Sequence, residues 1–257
     1  MSEDAASLEA AILARFEAAR SIVREAGAYA RGRFDEIEAL TVDVKFNGQD
    51  VATSADREVE ALIRTRVAEA FPGDGVLGEE EGLVRGDAEF VWVVDPIDGT
   101  SPFLHGMASW CVSVAVARAG TTVVGFIYDP CADELFAARA GGGATLNGRP
   151  IGVDTAYDIT TGLMGLGASH KVPAKSIADF AVNLMEAGGM FIRNGSGALM
   201  LAYVACGRFV GYYEPSINLW DCAAGLLLVR EAGGSVTAFE EDPAKAVAGP
   251  LVAAAPQ

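Results

Sequence analysis

Two aspartates stand three positions apart in the segment VWVVDPIDGTSPF, which covers residues 91–103. Asp95 and Asp98 follow an apolar run rich in valine, and Pro96 removes a backbone hydrogen-bond donor between them. We therefore expect the strand to end at Pro96 and the chain to turn there, which leaves the Ile97 carbonyl free to point outward. Two carboxylates and a carbonyl that converge in this way form an all-oxygen site of the kind that Mg²⁺ prefers.

The residues that follow this pair favour an anion beside the cation. Gly99, Thr100 and Ser101 stand where a helical turn can begin, and the free N–H groups at the start of a helix attract phosphate. The alternative is that Asp95 and Asp98 only cap a turn, since Asp, Pro and Gly are common turn residues. The segment by itself leaves both interpretations open.

Three other acidic segments allow a similar pair of interpretations. Three consecutive glutamates lie between glycines in GEEEG at 78–82, which could be a solvated loop tip. Asp56 precedes one apolar helical pattern and Asp221 begins another, so each could be a helix N-cap. Considered alone, each segment is explained without any catalytic role.

Composition and charge exclude several classes of protein. The 257 residues are 51% hydrophobic, which is enough for a sizeable core, and 35 acidic against 19 basic residues give a net charge of -16. Without a run of Lys or Arg, nucleic acid is not an expected partner. The acidic N-terminus and the short apolar runs predict no membrane segment and a cytoplasmic location. The four cysteines have no CxxC spacing, so neither a zinc site nor a disulfide framework is expected.

Hydrophobic periodicity predicts the elements that must position these residues. In the first half it predicts helices over 5–32 and from about Asp56 to Pro72, and strands at 90–94, 111–118, 123–129 and 134–139. In the second half it predicts strands at 162–167, 189–194 and 208–214, alternating with helices at 174–187, 196–206 and 221–231. We expect an α+β half (1–150), which contains Asp95 and Asp98, and an α/β half (151–257), which contains Asp221.

Taken together, the acidic segments resemble the signatures of the inositol monophosphatase family of Mg²⁺-dependent, lithium-sensitive phosphatases. In chain order the matching segments are DVATSAD (50–56), GEE (78–80), DPIDGT (95–100) and WDxAxG…EAGG (220–234). Their order and separation match along essentially the whole chain, which is more specific than a single short motif. The resemblance implies an α+β fold, a five-layer αβαβα sandwich with the active site between its two halves. It also implies that the half at 1–150 carries most metal ligands and that the half at 151–257 carries Asp221 and the substrate-specificity residues.

The resemblance also implies a set of ligands for two to three Mg²⁺ ions. The first ion would be held by Glu80, Asp95 and the Ile97 carbonyl, and a third, weaker ion would lie near Glu80. The second ion would take Asp95, Asp98 and Asp221. Four carboxylates this close would repel one another strongly without cations, and the bound ions would let an acidic protein attract a phosphate.

The nucleophile that the resemblance implies is a water activated by Mg²⁺. Thr100 would orient this water and help to deprotonate it through a hydrogen bond to Asp56, and Glu80 is grouped with these two as catalytic. The Gly99 and Thr100 N–H groups would hold the phosphate. The covalent alternative, an aspartyl-phosphate, uses a DxD pair, whereas the spacing here is DxxD with Pro96 after the first aspartate.

For the alcohol part of the substrate, the resemblance indicates Gly195, Ser196 and Glu214, with Asp98 and Asp221 also touching its hydroxyls. Glu214 could instead be a surface acid at the end of a strand. These matches favour hydrolysis of a small phosphorylated metabolite, most of all inositol monophosphate. Histidinol phosphate, 3'-phosphoadenosine 5'-phosphate, fructose 1,6-bisphosphate and NADP are alternatives, and a non-catalytic metal- or phosphate-binding protein is the rival from another class. A homodimer is expected from the relatives.

The chain departs from the family pattern at two places near the expected phosphate. The stretch Ser101-Pro102-Phe103 stands where the family commonly has Asn-Phe one residue on, and Pro102 removes a backbone donor. The segment before Gly195 is one residue shorter than the family pattern. Lys45 falls where the family has a basic residue ahead of its first acidic motif, and neither histidine matches a ligand spacing.

Overall fold

A computed structural model describes residues 3–44 and 51–256, so Lys45 and Asp50 lie outside the described residues. The helices of the described chain are α1 (Glu3–Phe34), α2 (Ser54–Ala70), α3 (Thr100–Leu104), α4 (Ala174–Glu186), α5 (Gly197–Ala205) and α6 (Leu219–Glu231), with a 3₁₀ turn at Ile37–Ala39. The strands are β1 (Val42–Val44), β2 (Val51–Thr53), β3 (Gly75–Gly78), β4 (Gly82–Val84), β5 (Phe90–Asp98), β6 (Cys111–Arg118), β7 (Thr121–Asp129), β8 (Glu134–Arg139), β9 (Ala144–Leu146), β10 (Arg149–Pro150), β11 (Leu163–Leu166), β12 (Met190–Ile192), β13 (Gly211–Ile217), β14 (Ser235–Val236) and β15 (Gly249–Ala254).

The strands form two large sheets and a two-stranded ribbon of β1 and β2. The first large sheet has the order β10-β9-β8-β7-β6-β5-β3-β4 and is antiparallel except where β3 runs parallel to β5. The second has the order β12-β11-β13-β15-β14, with β11 parallel to both β12 and β13. None of the helices in the described ranges has both the length and the apolar composition that crossing a bilayer requires.

Alternating side chains of the sheets build two apolar cores. Trp92 on β5 packs in the outer core with α1 and α2, whereas its neighbour Val93 packs in the inner core with α5 and α6. Helix α4 covers the far face of the second sheet, where Phe180 stacks on Tyr213 with ring centroids 4.2 Å apart. The order helices, sheet, helices, sheet, helix is the five-layer αβαβα sandwich of the predicted α+β fold.

The predicted end of β5 was wrong. The chain does not leave the sheet at Pro96, because β5 continues to Asp98 beside β6. Asp95 lies opposite Ser113 and Asp98 lies opposite Cys111, with a shift of register between the two pairs. This irregularity is a β-bulge, and a bulge accommodates a proline that has no N–H to donate to the ladder.

The central helices connect the two halves of the chain. The first large sheet lies within residues 75–150 and the second within residues 163–254. Helix α6 packs against β5 to β8 of the first sheet and against β14 and β15 of the second. The apolar core between the sheets is therefore common to both halves, and their separation into domains at residue 150 stays a prediction.

Candidate active site

Glu79 begins the three-residue turn that joins β3 to β4 between the paired residues Gly78 and Gly82. Its N–H donates to the Val94 carbonyl at 3.2 Å, which extends the parallel pairing of β3 with β5 by one residue. Because Asp95 follows Val94 on β5, this pairing places Glu79 beside Asp95.

The carboxylates of Glu79, Asp95 and Asp221 form one cluster. One oxygen from each lies within 4.8 Å of the other two. Burial, followed by the negative charges of Glu79, Asp98 and Asp221, raises the pKa of Asp95 well above its ordinary value. Burial also raises the pKa of Asp221 to about 6. Within the described part of the chain, no lysine or arginine forms a salt bridge with Asp95 or Asp221.

This acidic cluster fits a hard divalent cation. All of its ligand atoms are carboxylate oxygens, which suit magnesium-like ions better than the soft metals that prefer sulfur. Asp95 is 1% exposed, so water compensates little of its charge. A bound cation would supply the compensation that the described side chains around Asp95 do not supply.

The cluster contains Glu79 where the sequence analysis placed Glu80. Within the turn, the N–H groups of Glu80 and Glu81 donate to the carboxylate of Glu60 on α2, at 2.8 and 3.0 Å. Of the described residues, only Glu79 joins Asp95 and Asp221 in a group of this kind. The register of β3 against β5 decides between the two neighbours, and it puts Glu79 rather than Glu80 next to Asp95.

Asp221 and Asp56 are not N-caps: each is the third residue of its helix and completes a capping box with one carboxylate oxygen, the N-caps being Asn218 and Thr53. The N–H and the side-chain amide of Asn218 both donate to Asp221 Oδ2 at 3.1 Å. Asp56 is fully buried, and its Oδ2 accepts from the N–H and the hydroxyl of Thr53 at 2.8 and 2.6 Å. Its Oδ1 accepts the Thr100 hydroxyl at 3.2 Å. A carboxylate has two oxygens, so capping and a role in the site are compatible.

The bulge in β5 shapes the backbone around Thr100. The Ile97 N–H donates to Asp95 Oδ1 at 3.1 Å, and the Ile97 carbonyl lies 3.1 Å from the Thr100 hydroxyl. Gly99 has a φ of 101°, and a Cβ there would lie 2.8 Å from the Ser109 carbonyl oxygen, so this turn requires glycine. Helix α3 then begins at Thr100, where the first N–H groups have no partner within the helix.

The two departures from the family pattern touch each other. Pro102 lies in the first turn of α3, where a missing N–H removes no bond within the helix. Its ring packs against Gly195, because a Cβ added to Gly195 would lie 2.6 Å from Pro102 Cγ. Gly195 also has a φ of 94°, which a side chain disfavours. The segment before α5 is therefore fitted to the proline of α3.

Asp98 joins the first sheet to the start of α5. Its carboxylate accepts from the Ser196 hydroxyl at 2.5 Å and from the N–H groups of Ala198 and Gly197 at 2.6 and 3.3 Å. Burial raises the pKa of Asp98 to about 6, although the bonds from Ser196 and Ala198 act in the opposite direction. Ser196 is 1% exposed and caps α5 by accepting from Leu199 N–H. Ser196 therefore fixes the position of the Asp98 carboxylate at the start of α5.

A cavity of about 260 Å³ opens over this region. Glu214, predicted to touch substrate, lies in its wall, where Tyr212 donates to Glu214 Oε2 at 2.8 Å. Burial raises the pKa of Glu214 to about 7, and no described residue donates a hydrogen bond to its buried Oε1. Glu79, which was not predicted, also lies in the wall. The other predicted site residues there are Asp98, Gly99, Thr100, Gly195 and Asp221.

Three basic residues line the cavity that the sequence analysis did not assign. They are His170, Lys171 and Arg193, and Lys171 Nζ donates to Asn218 Oδ1 at 2.9 Å. They follow the carboxyl ends of the neighbouring parallel strands β11 and β12. Ligands of α/β sheets bind at the carboxyl ends of the strands. A search of the residues that follow each predicted strand could therefore have identified these three basic residues from the sequence.

Known proteins are similar to this chain over most of its length. The sequence profile of the inositol monophosphatase family matches residues 14–257. An inositol-1-monophosphatase of Mesorhizobium japonicum is 41% identical over 236 residues, which cover 90% of this chain and 85% of that protein. A Nus factor SuhB of Xylella fastidiosa is 40% identical over 220 residues, covering 84% of this chain and 79% of that protein.

A solved structure shows the same fold. The extragenic suppressor protein SuhB of Bartonella henselae superposes with a TM-score of 0.85 at 34% identity, over 93% of this chain and 92% of that one. Sequence and fold therefore match over nearly the whole length. This chain belongs to the inositol monophosphatase family, which is a family of phosphatases.

Proposed function

We propose that this protein hydrolyses a small phosphate monoester in a Mg²⁺-dependent reaction, with inositol monophosphate as the favoured substrate. The observation that carries the proposal is the cluster of Glu79, Asp95 and Asp221, in which Asp95 is buried and the other two are partly buried, beside the hydrogen-bonded pair of Thr100 and Asp56. The cluster offers the ligands of a hard cation, and the pair offers a path for a proton.

The proposed metal ligands are Glu79, Asp95, Asp98, Asp221 and the Ile97 carbonyl. Glu79 replaces Glu80 in this set because its carboxylate is the one that lies within the cluster. When bound, Mg²⁺ supplies positive charge that attracts a phosphate and lowers the pKa of a water. This charge matters in a protein with a net charge of -16, which otherwise repels an anionic substrate.

Thr100 and Asp56 are proposed to orient the attacking water and to receive its proton. Asp56 is fixed by its two bonds from Thr53 and directs its Oδ1 at the Thr100 hydroxyl. When that hydroxyl donates to Asp56, its lone pairs remain available to accept a hydrogen bond from water. The proton would pass from the water to Thr100 Oγ1 and from Thr100 to Asp56.

The cavity walls are proposed to bind the two ends of the substrate. The N–H groups of Gly99 and Thr100 at the start of α3 would hold the phosphate. Gly195 and Glu214, with Asp98 and Asp221, would face the alcohol, and the unpartnered Glu214 Oε1 can accept a hydrogen bond from one of its hydroxyls. Ser196 contributes through Asp98, since its hydroxyl is already bonded to that carboxylate.

The test is phosphate release by the purified protein from a panel of substrates, with Mg²⁺ and with a chelator. The panel contains inositol 1-phosphate, histidinol phosphate, 3'-phosphoadenosine 5'-phosphate, fructose 1,6-bisphosphate and NADP. We expect Mg²⁺-dependent turnover, highest on inositol 1-phosphate, and its near-complete loss in Asp95→Asn. Turnover that survives the chelator, or that Asp95→Asn retains, would contradict the proposal.

A second candidate is a partner-binding role without turnover, because several relatives are named Nus factor rather than phosphatase. A protein called Nus factor SuhB from Escherichia coli is 37% identical over 239 residues. Such a role does not require turnover, and the acidic cluster could hold a metal for structural reasons. Absence of Mg²⁺-stimulated phosphate release from every substrate of the panel would favour this candidate over the phosphatase.

Three properties stay predictions, the first two from the family resemblance and the third from the sequence composition. They are a homodimer, inhibition by lithium and a cytoplasmic location. Light scattering after size-exclusion chromatography tests the first, and the phosphate-release assay with added lithium tests the second. Fractionation of the source cells tests the third.

A further inference from the structure

Glu60 is a buried carboxylate that belongs to neither the acidic cluster nor the cavity wall. It lies on α2 with 0% exposure. Its Oε2 accepts the Glu80 N–H at 2.8 Å, and its Oε1 accepts the Glu81 N–H at 3.0 Å. Both bonds therefore connect α2 to the two residues that follow Glu79, which is one of the proposed metal ligands.

Arg64, one helical turn along α2, completes this arrangement. Its Nε donates to Glu60 Oε1 at 2.8 Å, and its second terminal nitrogen donates to the Gly82 carbonyl at 2.6 Å. The arginine side chain is only 13% exposed, so solvent weakens the pair little. Glu60 and Arg64 together hold the turn from both its N–H and its carbonyl side.

Gly78, the last residue of β3, packs directly against the Glu60 carboxylate. A Cβ at this position would lie 2.2 Å from Glu60 Oε1, so a side chain there would displace the carboxylate from the turn. The glycine at the end of β3 is thus the reason why Glu60 can reach under Glu79. We name the unit formed by Gly78, Glu60 and Arg64 the turn clamp.

We propose that Glu60 and Arg64 are positioning residues for the metal site, which hold Glu79 against Asp95 without touching metal or substrate. The inference rests on the proposed function, in which Glu79 is a ligand. Among the described backbone contacts between β5 and the turn that follows β3, one lies at Glu79 itself: the bond from its N–H to the Val94 carbonyl. The turn clamp adds the contacts that hold the rest of the turn. Groups that orient a ligand in this way raise metal affinity about 10- to 100-fold.

An electrostatic role and a positioning role predict opposite effects on Mg²⁺ binding when Arg64 is replaced. If the pair acted only through its electric field, removing the arginine's positive charge would strengthen the binding of a cation. If the pair positions the turn, the same change frees the Gly82 carbonyl and loosens Glu60, so binding weakens. Arg64→Gln therefore separates the two explanations by the sign of its effect.

The experiment is calorimetric titration of the full-length protein with Mg²⁺, compared with its unfolding in denaturant without metal. We expect Glu60→Gln and Arg64→Gln each to weaken Mg²⁺ binding by about 10- to 100-fold. Amide hydrogen exchange without metal should become faster at Glu80 and Glu81 in both variants. Arg64→Lys, which keeps the charge but lacks the planar fork, should weaken binding less than Arg64→Gln.

Glu241 provides a matched control outside the active site. It is a buried glutamate that accepts the Thr122 N–H at 3.1 Å and pairs with Arg230 at 2.7 Å, in the last turn of α6. Glu241→Gln removes the same kind of bonds at the far end of α6, because its partner Arg230 lies about nine residues along that helix from Asp221. It should lower the stability of the protein and leave the affinity for Mg²⁺ unchanged.

Wild-type Mg²⁺ affinity in Glu60→Gln would overturn the inference, and so would stronger binding by Arg64→Gln. An equal loss of affinity in Glu241→Gln would overturn it too, because general destabilisation would then explain the effect. If the wild-type protein itself bound no Mg²⁺, the proposed function would fail first and this inference with it. Normal binding and turnover in the wild type, with an unchanged Glu60→Gln, would reject the inference alone.

Discussion

Asp95 is a buried carboxylate, and the charged groups that act on it, Glu79, Asp98 and Asp221, are all negative. Each further negative charge raises the free energy of its ionised form, so protons compete with cations for this site. Binding of a divalent cation should therefore release protons from the cluster.

The two neighbouring glutamates of the turn form a natural pair of variants. Glu79→Gln removes a carboxylate from the cluster, whereas Glu80→Gln leaves all three of its members in place. We expect Glu79→Gln to weaken Mg²⁺ binding at least about 10-fold and Glu80→Gln to change it much less. Calorimetric titration measures both, and the reverse ranking would restore Glu80 as the ligand.

The Thr100 hydroxyl can be removed while the shape of the side chain is kept. Thr100→Val breaks the hydrogen bond to Asp56, so kcat should fall about 10²- to 10⁴-fold with little change in Mg²⁺ affinity. Thr100→Ser keeps a hydroxyl and should retain most of the activity. Steady-state kinetics at saturating Mg²⁺ checks this, and a kcat of Thr100→Val near the wild-type value would exclude the proposed proton path.

The sequence could identify the kind of residue at the site better than the individual residue. Asp95, Asp98 and Asp221 were recognisable because each stands at the boundary of an apolar element. Glu79 and Glu80 are adjacent and chemically identical, and what separates them is the register of β3 against β5, a contact across 16 residues of chain. Glu60 was missed because a glutamate inside a helix has no local sign of being buried.

At the scale of elements, the contact between α3 and the segment before α5 determines the shape of the cavity wall. Pro102 and Gly195 come from opposite halves of the chain and pack directly on each other. Asp98 reinforces this contact, since it accepts the first N–H groups of α5. A negative charge at that end of a helix is stabilised by the helix dipole.

Gly195→Ala tests the fit between these elements. The new Cβ would lie 2.6 Å from Pro102 Cγ at a φ of 94°, so we expect a loss of about 1–3 kcal/mol in the free energy of unfolding. Pro102→Ala removes the ring, so the double variant should recover the steric part of the loss and retain the part due to φ. Denaturant unfolding of both single variants and the double variant measures the coupling.

If the two changes were strictly additive, the contact between Pro102 and Gly195 would not be the cause of the loss. A Gly195→Ala protein as stable as the wild type would contradict the argument from the positive φ as well.

The elements themselves were largely predictable, because most have a clear period. The bounds of β6 and β8 are those predicted, and α4, α5 and α6 lie within two residues of theirs. The bulge in β5 was not predictable, since Pro96 usually ends a strand and only the pairing with β6 keeps it in the sheet. Local propensity was overridden there by tertiary contacts.

At the scale of the whole molecule, the buried acids make stability depend on pH. Asp98 and Asp221 have pKa values of about 6 in the folded protein, against an ordinary value of 3.8. A raised carboxyl pKa contributes stability below the ordinary value and loses it as the pH rises through the folded value. Each such shift is on the order of 3 kcal/mol, and coupling between the two makes their sum smaller.

We therefore expect the metal-free protein to become less stable between about pH 4 and pH 7, and Mg²⁺ to restore stability most strongly at the upper end. Thermal unfolding with a chelator and with Mg²⁺ across this range measures both effects. Asp221→Asn, which cannot ionise, should flatten the pH dependence of the metal-free protein. A metal-free protein that gains stability over this range would contradict the assignment.

The helical layer between the sheets has a consequence for synthesis of the protein. The first large sheet is complete at Pro150, but the inner face of that sheet is covered by α6, which ends at Glu231. Roughly 80 residues separate these points, which a ribosome adds in about 4–16 s at the usual 5–20 residues per second. For that interval the nascent chain lacks the helix that covers this apolar sheet and supplies Asp221, so we expect the growing chain to expose a surface that chaperones bind.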